Sequence, residues 1–513
     1  ATVTHLVALE VTKWLAGHRY PGQRTVLTLD SLDLQGRRHE LRRRPQCPAC
    51  GDSGIVAARA RQPVRLTGAC KVAGLGGGHR SQSAEQTLER YAHLVSPVTG
   101  VIKDIERDAR GPALLNAYRS GPNLALTAQG TSGLRGLRRS LRAHSSGKGT
   151  TAIEAKTGAL AEAVERYSAT FHGDEEMVTA SMRSLGDQVI DPRDVMLFDE
   201  LQYADRAVWN AGHGPFQRVP EPFDPDRSIP WTPVWSLRDR RQRYLPTGLL
   251  YPGAPAALRT GVGADSNGNA AGTSLVDAVL QGALELVERD SVALWWYNRS
   301  PVPEVDLTAF GDPWIAEVQT VYAALGRDVW VLDLTADLGV PAMVAVSRRT
   351  DAGPEHILFG CGAHIDPRIA LRRALTEINQ LLPAVLDGDV GQFDDPDARL
   401  WFETATVINQ PYLLPDPAQD ARKPAHYSWT QNEDILADVE GLVATLAARG
   451  LDVLVLDQTR PDIELPVVKV VVPGLRHFWA RFAPGRLFDV AVQLGRQHSP
   501  TRYADLNPIP FFL

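Results

Sequence analysis

Five polar residues along one apolar segment set the chemical problem posed by this chain. Thr273, Asp277, Gln281, Glu285 and Glu288 follow one another at spacings of four, four, four and three, with Arg289 beside the last. At about 100° per residue this spacing draws one narrow stripe along a helix. The rest of TSLVDAVLQGALELVERDSVALWWY, residues 273–297, is almost entirely apolar and free of proline, which predicts a long helix wanting burial. A surface helix ordinarily carries a broad polar face of mixed charge. A thin line of carboxylates on a buried helix repels itself and resists desolvation unless cations meet it. Carboxylate oxygens of this kind suit Mg2+, commonly shared with nucleotide phosphates. The plainer alternative is a solvated ridge on a packed helix.

The pattern recurs. Residues 150–168 carry Thr150, Glu154, Gly158, Glu162, Glu165 and Arg166 at the same offsets, so that Glu165-Arg166 superposes on Glu288-Arg289 and Glu162 on Glu285. A third segment, 366–382, places Arg373, Glu377 and Gln380 at matching positions. Three such helices predict an internally repeated α/β (α+β) domain whose stripes converge. Each helix follows a stretch of small residues: Ser145-Ser146-Gly147-Lys148-Gly149, then 261–272, then Gly362-Ala363-His364. Glycines let backbone N–H groups approach an anion, and a lysine beside a helix N-terminus favours phosphate. The first stretch is no P-loop, because Arg142 stands where that motif requires glycine. His364 reads equally well as a substrate contact or as a structural histidine.

The elements that must position these residues are legible more coarsely. The chain has 513 residues, 44% apolar and 22% charged, with a formal charge of −6. That is enough chain for a large buried core, and a poor match to a nucleic-acid binder held by bulk charge. Four cysteines do not make a disulfide framework at this length, which predicts a reducing, cytoplasmic setting. No segment reaches membrane-spanning length. Strands are predicted over 329–334, 342–347, 357–360, 452–456 and 466–472, with a helix over 435–449. At the N-terminus a helix over 3–15 and a strand pair within 26–41 precede Cys47-Pro48-Ala49-Cys50, whose two thiolates suit a zinc knuckle. The glycines of 74–78 depart from a dinucleotide fingerprint, and the arginines between 119 and 142 read as a solvated face. The end, Asn507-Pro508-Ile509-Pro510-Phe511-Phe512-Leu513, predicts a stiff extended tail.

Taken together, SGKGTT before the first helix, EAVER at 162–166, NAAGT leading into QGALELVER, GAH before RRALTEINQ and the terminal PIP resemble the YcaO proteins, in particular the cyclodehydratases of azole- and azoline-modified peptide pathways. The resemblance covers about residues 85–513. It implies a YcaO-type domain over 76–513 built around an ATP site, preceded over 1–75 by the remnant of an E1-like domain. ATP and Mg2+ would be held by Lys148, Glu162, Glu165, Arg166, Thr273, Asp277, Gln281, Glu285, Glu288, Arg289, Glu377 and Gln380. Of these, Glu162, Glu165, Glu285 and Glu288 would carry the Mg2+, Arg373 would face the triphosphate, and Cys47 with Cys50 would take Zn2+. Pro508, Pro510 and Leu513 would reach toward the catalytic pocket. The implied reaction turns Cys, Ser or Thr of a precursor peptide into thiazoline or oxazoline through phosphorylation of the amide oxygen. The alternatives are thioamide or amidine formation on the same fold, and a catalytically silent peptide-binding scaffold. Implied partners are the precursor peptide, an E1-like leader-binding protein, a flavin-dependent azoline dehydrogenase and a second copy of the chain; neither nucleic acid nor membrane is implied. Two departures stand out: Phe512 replaces the third proline of the azoline-forming branch, and one CxxC pair stands where the E1-like zinc site uses two.

Overall fold

A computed structural model describes residues 2–30, 32–33, 35–72, 78–121, 144–351, 353–386 and 395–512. Near the N-terminus, α1 (Thr2–Leu15) precedes a hairpin of β1 (Thr25–Leu29) and β2 (Gly36–Glu40). α2 (Ile55–Ala60) and α3 (Ala84–Tyr91) follow; a capping box of Ser83 and Gln86 starts α3. β3 (Ile105–Arg107), β4 (Ala117–Ser120) and β5 (Ser146–Lys148) form an antiparallel sheet in that order, and α4 (Ala152–Ala169) lies against it. Then come β6 (Val178–Ala180), β7 (Ile229–Ser236), β8 (Arg241–Pro246), β9 (Asn269–Ala271) and the long α5 (Leu275–Asn298). α6 (Pro313–Ala324) leads to the antiparallel sheet β10 (Arg327–Asp333), β11 (Ala342–Arg349) and β12 (Leu358–Ala363), covered by α7 (Pro367–Leu386). α8 (Ile435–Ala447), β13 (Leu454–Asp457), β14 (Val467–Val471) and α9 (Arg486–Gln493) complete the order. A six-stranded sheet runs β6-β7-β13-β14-β9, with β8 paired to β7 off that path.

The three predicted helices form with small shifts at their ends. α5 begins at an N-cap, Ser274, whose hydroxyl accepts the N–H of Asp277, and α4 begins at Thr151 in a capping box with Glu154. Thr273 and Thr150 therefore lie just outside their helices. α5 is apolar around most of its circumference because two cores claim it. Trp295, Trp296 and Tyr297 join the core of β10 to β12, while Val276, Leu280 and Leu284 join one with α8 and β14. Each side chain of this kind, fully buried, contributes roughly 1.5–3 kcal/mol.

Strand and helix approach closely where glycine allows it. A Cβ on Gly147 would stand 1.9 Å from the Ala155 carbonyl, so only glycine lets β5 lie on α4. Gly360 does the same for β12 on α7, where a Cβ would meet the Ile378 nitrogen at 2.3 Å. Among the described residues no helix is long and apolar enough to cross a membrane.

The N-terminal unit differs in burial. α1 leaves Val3, Val7, Leu9, Val11, Trp14 and Leu15 exposed. The unit touches the main body through Arg44 and Gln46, both on Asp462, through Arg59 on the Thr459 carbonyl and Arg61 on Glu176, and through Ala69 on Asp434 and Lys71 on Asp438. The C-terminal tail is the opposite case. Phe511 is fully buried against Trp296, Phe359 and Phe478. The Phe511 carbonyl accepts from Gln217 Nε2 at 2.7 Å, and the Ile509 carbonyl accepts from Trp296 Nε1 at 2.7 Å.

Candidate active site

Each of the three helices offers one glutamate to the strand that precedes it. Glu162 accepts the N–H of Ser146 at 3.1 Å, Glu285 that of Gly268 at 3.0 Å, and Glu377 that of Cys361 at 2.6 Å. The next acidic position points to the following unit. Glu165, on α4, faces the N–H of Ala271 in β9, and Glu288, on α5, accepts the N–H of Ala363 in β12 at 2.9 Å. Lys148 of β5 closes the arrangement by reaching Glu377 on α7 at 2.9 Å. The repeat is thus cyclic: first helix to second strand, second helix to third strand, third helix to first strand. Gln380 stands where the other helices carry Glu165 and Glu288, and it makes no hydrogen bond to a described residue.

The charges gathered this way do not balance within the protein. Burial pushes the Glu165 carboxyl up to about 8, against Arg166, and Glu285 and Glu162 add to the rise. Burial likewise pushes Glu288 up to about 7 against Arg289, with Glu377 adding to it. Arg166 lies 3.5 Å from Glu162, and Arg289 lies 3.1 Å from Glu285 while also pairing with Glu288. Burial would raise Glu377 too, but Lys148 and Arg289 outweigh it and hold that carboxyl below its usual range. Arg373 is pushed down to about 10 by burial and by the neighbouring Arg80.

These features fit a bound cation and phosphate. Surplus carboxylate at a largely enclosed centre is the donor set Mg2+ takes. Gln281 Nε2 and Arg289 Nε are buried donors with no hydrogen-bond partner among the described residues, and such donors suit phosphate oxygens. As they lie, no three acidic, histidine or cysteine side chains among the described residues stand close enough together to hold a metal ion. The glutamates are tied to N–H groups and arginines, so each has to turn a free oxygen inward to serve as a ligand.

The other residues that the sequence pattern singles out divide between the centre, the helix starts and the periphery. Arg373 donates to Gln281 Oε1 and to the Ala363 carbonyl, which joins the third helix to the second. Thr273 and the fully buried Asp277 lie at the start of α5, where the Thr273 N–H and hydroxyl both donate to Asp277 Oδ2, at 2.8 and 2.7 Å. Thr150 and Glu154 repeat that arrangement, so this end of each stripe serves helix capping as well. His364 is fully buried, its Nδ1 accepting the Asp366 N–H, which favours the structural reading. Pro508 and Pro510 lie on the tail that packs on β12, and Leu513 lies outside the described residues, as do Arg135, Arg138, Arg139 and Arg142. Cys47 and Cys50 are free thiols at the surface. No group of three ligands stands near them among the described residues, so the expected zinc knuckle is not supported.

Arg80 and Ser81 carry no mark in the sequence pattern. Arg80 reaches Asp277 at 2.7 Å, and Ser81 meets the Thr273 hydroxyl at 2.9 Å. The only signal is their position after a glycine run, and pairing across nearly two hundred residues leaves no local pattern.

Comparison with known proteins places this fold in a known family. A family model described as YcaO cyclodehydratase, ATP- and Mg2+-binding, matches residues 146–476. The chain belongs to the YcaO family. Among solved structures, a heterocyclase in complex with substrate and cofactor is 44% identical with a TM-score of 0.88, over 95% of this chain and 64% of that one. The heterocyclase TruD is 37% identical with a TM-score of 0.79, over 99% of this chain and 65% of that one. YcaO from Methanopyrus kandleri, bound with AMPPCP and Mg2+, shares the fold at 21% identity and a TM-score of 0.57, over 80% of this chain and 95% of that one. An uncharacterized protein of Methanothermobacter thermautotrophicus is 28% identical over 340 residues, which are 65% of this chain and 81% of that protein. The chain spans just under two thirds of the length of the two heterocyclases.

Proposed function

We propose that this chain is an ATP-dependent cyclodehydratase that converts Cys, Ser or Thr residues of a ribosomal precursor peptide into thiazoline or oxazoline. The observation that carries this reading is the cyclic hand-over of glutamates, which sets Glu162, Glu165, Glu285 and Glu288 around one centre beside Lys148 and Arg373. Those four glutamates hold Mg2+, which neutralises charge on the transferred phosphoryl group when bound. Arg373 and Gln281 orient the triphosphate, with Thr273, Asp277 and Gln380 at the edges of its pocket. Arg166 and Arg289 keep the glutamates in place. The acceptor sulfur or oxygen bonds to the preceding carbonyl carbon and gives up its proton. The former carbonyl oxygen then takes the γ-phosphoryl group of ATP, leaving ADP. Cleavage of that C–O bond releases phosphate, and loss of the nitrogen-bound proton leaves the ring. An amide oxygen is a poor leaving group and phosphate a good one, so positioning and charge stabilisation are what the protein has to supply.

The tail acts as a brace. Phe511 and Phe512 pack on Phe359, two residues before the Cys361 N–H that holds Glu377, and Phe511 also packs on Phe478, over which Arg289 sits at 4.3 Å. Residues 1–75 are the E1-like remnant and 76–513 the catalytic domain. Leader recognition belongs to an E1-like partner, separate or upstream of these residues, and a flavin-dependent dehydrogenase oxidises the azoline. Phe512 in place of a third proline is the observation favouring thioamide or amidine formation instead. One experiment separates these readings: the full chain with Mg2+, ATP, the leader-binding partner and a cysteine-containing precursor peptide, followed by mass spectrometry and ADP release. Ring formation removes one water, yields one ADP per ring and consumes the cysteine thiol. Amidine formation also removes one water but leaves that thiol open to alkylation. Replacement of oxygen by sulfur in a parallel reaction supplied with sulfide points to thioamide, and a peptide left unchanged in every reaction by a chain that still binds it points to the scaffold.

A further inference from the structure

Arg289, which pairs with Glu285 and Glu288, also lines a cleft of about 660 Å3, within the usual size of ligand sites. The cleft carries Arg218, Arg259, Lys469, Arg476 and Arg481 besides Arg289, against the acids Asp265 and Glu221. Both acids are engaged. Asp265 accepts the Asn267 N–H at 2.9 Å and lies 3.6 Å from Lys469 and 3.5 Å from His477, while Glu221 lies 3.7 Å from Arg206. Several of the cations keep donors free. Arg476 is 3% exposed; its Nη2 donates to the Pro484 carbonyl at 2.6 Å, while its Nε and Nη1 have no hydrogen-bond partner among the described residues, an arrangement that favours an anionic group. Arg218 and Arg259 are exposed at the rim with no side-chain hydrogen bond to a described residue. Phe216, 54% exposed, stacks on Trp479 with ring centroids 5.0 Å apart and makes an aromatic shelf.

We propose that this cleft holds the acceptor segment of the peptide and selects a carboxylate side chain beside the residue that cyclises; the inference rests on the peptide-modifying reading above. A free phosphate would use the arginines but neither the shelf nor most of the volume. A peptide uses all three, and through Arg289 the cleft shares a wall with the carboxylate centre.

The test is equilibrium binding of three short fluorescent peptides to the full chain, identical except for Glu, Gln or Lys beside a cysteine. The expected result is at least about tenfold tighter binding of the Glu peptide than of the Lys peptide, at moderate salt. Arg218→Glu with Arg259→Glu should reverse that ranking, and Arg218→Gln with Arg259→Gln should level it, with melting temperatures near that of the unaltered chain because both residues are exposed. The same ranking in all three proteins would overturn the proposal. So would displacement of every peptide equally by inorganic phosphate, which would make the cleft an anion site. The ring-forming assay is read separately: rings without peptide selection remove the cleft proposal alone, and peptide selection without rings removes the catalytic reading alone.

Discussion

Glu288 and Glu377 make the same contact, each taking a backbone N–H of β12, yet their surroundings differ in sign. Around Glu377 the protein supplies its own cation, Lys148, and the carboxyl is held ionised. Around Glu288, and around Glu165 in the first unit, burial and neighbouring glutamates outweigh the arginines, and the proton is retained up to about 7 and about 8. The third helix has given up one acid altogether, with Gln380 at that position and Arg373 about two turns before it. Acid is therefore in surplus around α4 and α5 and is compensated at α7. On the proposed reading the glutamates of the first two helices form a metal-facing side, and Lys148 of the first unit with Arg373 of the third forms a phosphate-facing side.

The largest effect should come from the metal-facing side. Glu288→Gln keeps the shape and removes a charge, so ATP turnover with peptide should fall by about 100-fold or more, while the melting temperature holds or rises because repulsion is relieved. Unchanged turnover would break the contrast, and an unfolded variant would make the stripe structural. On the phosphate-facing side, Lys148→Met strips Glu377 of its partner. ATP affinity should weaken about tenfold, the order expected for loss of one charged contact; equal affinity would mean that Lys148 serves Glu377 alone.

The contrast also predicts a pH dependence. The native chain retains protons on Glu165 and Glu288 that the unfolded chain, with carboxyls near 4.5, has already released. More protons bound in the native state means that stability falls as pH rises from about 5 toward 8. Mg2+ needs these groups ionised, so its apparent affinity should climb over the upper part of the same interval, through about 7 to 8. Melting curves and Mg2+ titrations at pH 6 and pH 8 read both slopes, and flat profiles would contradict the assignment. The smallest effect belongs to the surface. Cys47→Ser with Cys50→Ser should leave ATP affinity unaltered and change stability by no more than about 0.5 kcal/mol. A loss of ATP affinity would tie the N-terminal unit to the active centre.

Much of this site is legible in the sequence because it rests on helical periodicity. The stripes, their repetition and the helix limits follow from spacing within one segment. The capping of α4 and α5 is legible as well, since Thr151 with Glu154 and Ser274 with Asp277 each place an acid three residues after a hydroxyl; the longer stripe pattern draws Thr150 and Thr273 into the helices instead. What stays hidden depends on tertiary placement. Nothing local says that Glu165 faces β9 or that Glu288 faces β12, and the six-stranded sheet is assembled from segments far apart in the chain. Arg80 is invisible for the same reason. The tail's proline content predicts an extended end, but the aromatic groove that buries Phe511 is built by Trp296, Phe359 and Phe478 from three different parts of the chain.

Converging glutamates that bind ATP through Mg2+ are the central claim. Calorimetric titration of ATP into the full chain, with and without Mg2+, tests this directly when repeated on Glu165→Gln with Glu288→Gln. Mg2+ should tighten ATP binding at least about tenfold in the unaltered chain, and the doubly substituted chain, still folded, should lose this dependence. Equal Mg2+ dependence in both proteins would contradict the claim and leave the stripes as packing.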